Sequence, residues 1–84
     1  MFIAVHSTST SDNQLVALSV HSTLEAASAA ALAAAQSFAA AQSEFEVETY
    51  AADMLDAHVL ATYAVGDDCF LVTQSLDALL AARI

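Results

Sequence analysis

The chain has no lysine and a single arginine, against ten acids and three histidines, so its 84 residues carry a formal charge of −9. That shortage excludes nucleic acid as a direct ligand, because neutralising phosphates takes Lys and Arg. It excludes electrostatic attachment to an anionic membrane surface for the same reason. Proline is absent and glycine occurs once, which rules out collagen-like and linker-like chains. The one cysteine, Cys69, can form no disulfide within the chain and no cysteine-based zinc set. Residues 1–5 contain no basic residue and are too short for a secretory signal. The alanine-rich run 26–41, interrupted by Ser28, Gln36 and Ser37, reads as too short and too weakly apolar for a membrane span. A cytosolic protein with no cofactor is expected.

What remains is apolar but fine-grained. Hydrophobic residues make up 58% of the chain, yet 21 of them are alanine. Leu, Ile, Val and Phe together number 23, above the level of about 20% below which a highly charged chain stays disordered. A single domain, 1–84, is therefore expected to fold around a modest core, with a stability of roughly 4–12 kcal/mol.

Residues 2–6 and 15–20 read as strands joined by the polar stretch 7–13. Val16, Leu18 and Val20 alternate with smaller or polar residues, which predicts one buried face. Ser22 followed by Glu25 has the capping-box spacing, with Ser22 as N-cap. The predicted helix runs to about Gln42. At 100° per residue, Leu24, Ala27, Ala31, Leu32, Ala35 and Phe38 share its apolar face. Residues 44–50 then alternate strictly, with Phe45, Val47 and Thr49 on one side and Glu44, Glu46, Glu48 and Tyr50 on the other. Residues 51–56 read equally as a turn of helix or as a loop. The runs 58–65 and 68–73 flank Gly66-Asp67, a two-residue type II′ hairpin signal. That register sets Tyr63 opposite Phe70 and Ala61 opposite Val72. Ser75 can cap a last helix whose stripe is Leu76, Leu79, Leu80 and Ile84. Both faces of the last hairpin are apolar, so this helix or a second copy of the chain must cover the second one. The resulting fold class is α+β: an antiparallel sheet of four to five strands, one long Ala-rich helix packed across it, and a short C-terminal helix, in the order ββαβββα.

Few residues suggest chemistry. His6, His21 and His58 could form a three-histidine zinc set, but none stands at i, i+4 spacing to another, so they read as ordinary strand-end residues. Cys69 lies within a predicted strand and reads as a buried inert thiol. Asp67 and Asp68 read as turn formers. No phosphate loop or Ser-His-Asp context is present. No metal, no catalytic residue and no enzyme are expected.

The acidic run is the exception. Glu44, Glu46, Glu48, Asp53 and Asp56 put five acids into 13 residues. The three glutamates fall on one strand face, about 6.7 Å apart. Such a row is either a solvated strand face or a binding face for a basic protein surface. In its Ala-rich helix running into Glu44-Phe45-Glu46-Val47-Glu48, its length and its acidity, the chain resembles the small acidic phage-encoded anti-CRISPR proteins that act on type I systems. The resemblance implies an inhibitor in the host-cell cytoplasm that binds the Cascade complex and blocks target DNA. Several members of that group cover positively charged DNA-contacting residues, so the matching surface would be Glu44, Glu46, Glu48, Asp53 and Asp56. Two other readings stay open. One is a self-assembling structural or phage assembly module, a homodimer rather than a monomer, joined through the second apolar sheet face. The other is an antitoxin-like neutraliser of a basic partner.

Overall fold

The computed structural model describes residues 1–8, 15–42, 46–55 and 57–83. The elements are strands β1 (Phe2–Ser7) and β2 (Leu15–His21), helix α1 (Leu24–Ala41), strand β3 (Glu48–Thr49), a single 3₁₀ turn (Ala52–Met54), strands β4 (Ala61–Val65) and β5 (Asp68–Thr73), and helix α2 (Leu76–Arg83). The strands form one antiparallel sheet in the order β2-β1-β5-β4-β3. This is the expected α+β arrangement with five strands. The β4–β5 hairpin has the expected register, with Tyr63 opposite Phe70 and Ala61 opposite Val72. Its turn puts Gly66 at φ +59° while Asp67 stays out of the positive-φ region, as a type II′ turn requires.

Directly opposed residues share a sheet face, so the register identifies the two faces. Phe2, Ala4, Val65, Phe70 and Val72 meet α1 on the first, with Ala61, Tyr63 and Val47 packed around them. The helix contributes Ala27, Ala31, Ala35 and Ala39, all buried, with Ala30, Ala34 and Phe38 at the margins. Leu24 is exposed and Leu32 half-buried, so the expected stripe is rotated toward the smallest side chains. Methyl groups let the helix backbone approach the sheet closely, and the leucines would hold it off. With 18 residues and a mean hydropathy of 1.2, α1 just reaches the length and apolarity that a membrane span needs, more than its sequence suggested. Here its alanine stripe is spent on the sheet.

The second face belongs to α2. Leu79 packs with Val5, Val59 and Leu71, and Ile3, Leu15, Leu55, Cys69 and Leu76 surround them. The short helix, with Leu55 and Val59 from the preceding segment, thus covers the face that a second copy could otherwise have covered. Ser75 caps α2 as expected, its Oγ accepting the Ala78 N–H at 3.2 Å. Cys69 is half-buried rather than buried. Of the predicted stripe, the Leu80 side chain and Ile84 lie outside what is described.

Three local expectations need correction. The N-cap of α1 is Thr23, not Ser22: the Thr23 Oγ1 accepts the Ala26 N–H at 3.1 Å. The helix therefore starts one residue late for the Ser22–Glu25 box. Thr23→Ala should lower stability by about 1 kcal/mol and Ser22→Ala hardly at all, as read from urea denaturation midpoints; the reverse order would restore Ser22 as the cap.

The second correction concerns β2. Ala4 pairs with Ser19 and Val5 with Ala17, leaving Leu18 as an extra, bulged residue. A bulge breaks the two-residue period. Val16, opposite His6, therefore points to the α1 face, and Val20, opposite Ile3, to the other. The two share no face, and Val16, Leu18 and Val20 are all exposed, at 46%, 43% and 55%.

Third, β4 starts at Ala61, and His58 lies in the turn before it with φ +65°. That left-handed conformation costs a side-chain-bearing residue about 1–2 kcal/mol. Allowing for the extra freedom that glycine has when unfolded, His58→Gly should raise stability by up to about 1 kcal/mol. A lower thermal midpoint in that variant would mean that the imidazole makes a contact worth more than the strain.

Candidate partner-binding site

The acids gather at one edge of the sheet. β3 is its outermost strand, pairing Glu48 with Ala64 and Thr49 with Tyr63. The Tyr50 N–H extends the ladder by donating to the Thr62 carbonyl at 3.1 Å. Among the described residues, pairing covers Glu48 to Tyr50 of the strand predicted over residues 44–50, and Glu44 and Phe45 lie outside them. Val47 packs against the α1-side core, and this anchor turns its neighbours Glu46 and Glu48 outward, both exposed. After Tyr50 the chain closes the 3₁₀ turn, with the Met54 N–H donating to the Ala51 carbonyl at 2.9 Å. Leu55 then docks on the second-face core. The turn is pinned at its end, and Asp53 and Met54 face solvent.

The structure therefore brings Glu46, Glu48 and Asp53 to one exposed edge, while Glu44 and Asp56 lie outside the described residues. No lysine exists to pair with these acids, and the single arginine, Arg83, is placed in α2. Two carboxylates about 6.7 Å apart in water repel by about 0.6 kcal/mol before salt screens them. That cost is small, and it favours any partner that brings positive charge.

Three apolar side chains stand among the acids. Tyr50, Leu60 and Met54 are exposed, Met54 to 62%. Tyr50 is opposite Thr62 and Glu48 opposite Ala64, so tyrosine and glutamate project from the same face. An exposed aromatic and an exposed methionine are residue types that protein-binding patches favour. Of the three, only Tyr50 had a sequence signal, its outward place in the alternation with the glutamates. Met54 fell in the stretch that read two ways. Leu60 counted as part of an apolar strand face and is left uncovered where that face runs out beside β3.

His6 and His21 belong to β1 and β2, whereas His58 lies beside Leu60. His6 stacks on Phe70 with ring centroids 4.4 Å apart and planes within 7°, and meets the edge of Phe38 at 5.2 Å. Its Nε2 is buried without a hydrogen bond, 3.6 Å from an Asp68 carboxylate oxygen, too far for a hydrogen bond but close enough for a charge contact when the ring is protonated. His21 hydrogen-bonds Ser19 Oγ at 2.7 Å. His58 lines an open hollow of about 180 Å³ with Leu60, Thr73, Gln74 and Ser75, smaller than the roughly 300–1,000 Å³ of a small-molecule site. Among the described residues no three of His, Cys, Asp and Glu gather closely enough to hold a metal ion. No protein-family model, no curated protein and no solved structure matches the chain.

Proposed function

We propose that this chain is a non-enzymatic inhibitor of the anti-CRISPR kind. It docks its acidic sheet edge onto a basic nucleic-acid-binding surface, for which the type I Cascade complex is the leading candidate, and excludes DNA by occupying its site in the host-cell cytoplasm. The observation that carries this reading is the exposed set Glu46, Glu48 and Asp53 on and beside the edge strand β3, with exposed Tyr50, Leu60 and Met54 on the same stretch of chain and its partner strand's lead-in. The acids steer the encounter and suppress wrong partners, and the apolar side chains supply contact area that water gives up. Glu44 and Asp56 belong to the same acidic run in sequence and extend the proposed surface.

The test is a tagged pull-down from a lysate of a CRISPR-bearing, GC-rich bacterium, with mass-spectrometric identification. The Glu44/Glu46/Glu48→Gln variant runs beside it. Capture of a basic nucleic-acid-binding complex that the variant loses is the expected result. Recovery of only the chain itself, from both parent and variant, would sink the inhibitor reading in favour of a self-assembling module. An isolated basic toxin in the eluate would turn the same surface to antitoxin-like neutralisation.

A further inference from the structure

The two edges of the sheet differ in kind. Among the described residues the β3 edge is two residues long, includes Glu48 and has Glu46 and Asp53 on either side, the sort of short, charged edge that does not pair with another strand. The β2 edge is seven residues long, LVALSVH, with no acid, no lysine or arginine and no proline, and with His21 at its end. Its outer backbone groups face away from β1, and its exposed apolar side chains lie on both sheet faces, Val16 on the α1 side and Val20 on the other. A body resting on one face would cover one of these and leave the other wet. A strand laid beside the edge reaches both and pairs the backbone groups that no other described strand pairs.

We infer that this edge is a self-association surface, taken by β2 of a second copy in antiparallel pairing. The argument for a second copy is one of charge. A chain with a formal charge of −9 repels its own kind most where its acids stand. β2 carries none of them and lies at the far side of the sheet from Glu46 and Glu48. Two-fold pairing there forms a ten-stranded sheet and sends the acidic edges to its opposite ends, about 43 Å apart at the usual strand spacing. Because the β3 edge does not pair, assembly closes at two.

The size of the contact sets its strength. A seven-residue strand is about 24 Å long and a sheet about 10 Å deep. Each copy therefore offers a strip of roughly 240 Å², well under the roughly 800 Å² of a standard interface. The bulge at Leu18 also interrupts the ladder. The dimer is accordingly reversible, forming at high micromolar concentration and above.

Sedimentation equilibrium of the full chain tests this, from about 10 μM to about 1 mM in about 0.05 M and about 0.5 M salt. The expected result is a monomer–dimer equilibrium that strengthens with salt as repulsion between the copies is screened. Leu18→Lys and the gentler Val20→Thr should each weaken it tenfold or more, with the far-ultraviolet spectrum unchanged. If Leu18→Lys does not fold, Val20→Thr decides. Amide exchange of the parent should slow in β2 as concentration rises. A monomer at the highest concentration in high salt would overturn the inference, as would an open-ended polymer or a dimer indifferent to Val20→Thr. None of this rests on the proposed inhibitor. Capture of a basic partner by the acidic edge weakens with salt, so the two associations respond in opposite directions and can fail separately.

Discussion

Replacing Phe70 by alanine should cost about 3–5 kcal/mol out of the roughly 4–12 kcal/mol open to a chain of this length. Phe70 is buried in the central strand β5, beneath α1. His6 and Phe38 both touch its ring, with centroids 4.4 and 5.6 Å away. The other contributors to this layer are mainly alanine and valine, which cannot reach into the space a phenyl ring leaves. The variant loses the transfer free energy of the ring, keeps a cavity, and forfeits aromatic contacts worth about 0.5–1.5 kcal/mol each. Urea denaturation followed by far-ultraviolet circular dichroism measures it, with Phe70→Leu as the milder companion. A loss below about 1 kcal/mol for Phe70→Ala would mean that the α1 layer is not what holds the chain together.

The second large effect is on binding, and it separates stability from function. Neutralising Glu46, Glu48 and Asp53 together as Gln, Gln and Asn removes three exposed acids that contribute no core contact. Like charges on one edge repel, so the fold should be unchanged or slightly more stable, and that gain should vanish in high salt. Association with the basic partner should move the other way. At about 0.2–1 kcal/mol for each exposed charge pair, the three changes together weaken affinity roughly 3- to 150-fold. Most of the loss falls on the association rate, with a shallower salt dependence than the parent. Surface plasmon resonance against the captured partner reads both rates. Tyr50→Ala is the informative contrast, because an apolar anchor acts on dissociation and leaves the salt slope alone. If the triple variant binds with parental rates at low salt, the acids serve solubility and the proposed docking edge is wrong.

How much of this could be read before folding depends on the distance over which each feature is decided. The β4–β5 hairpin, its II′ turn and its cross-strand pairs came straight from Gly66-Asp67 and the alternation around it, since eight or so neighbouring residues settle them. The Ser75 cap and the order of the seven elements were legible for the same reason. The outward turn of Glu46 and Glu48 was legible from Val47 between them, and among the described residues of that run the pairing with β4 starts at Glu48.

The misreadings cluster where distant segments meet. Alternation in Leu15–His21 promised a buried face. The sheet order makes β2 an edge, and the bulge opposite Ala4 and Val5 throws Val16 and Val20 to opposite sides. No local pattern announces a bulge, because it depends on the register against another strand. The helical wheel of α1 placed Leu24 and Leu32 toward the core, whereas close approach to the sheet selects the stripe Ala27, Ala31, Ala35 and Ala39. Composition and short-range spacing by themselves determined the α+β class, the hairpin, the last helix cap and the strongly acidic surface. Only the tertiary structure decided that β1 pairs with β5, that α2 closes the second face, and that one edge of the sheet is charged and the other bare. The first pairs Ser7 with Cys69 through to Ile3 with Thr73, the others rest on contacts between separate elements, and in all three the free energy of packing outweighs any preference written in a local run of sequence.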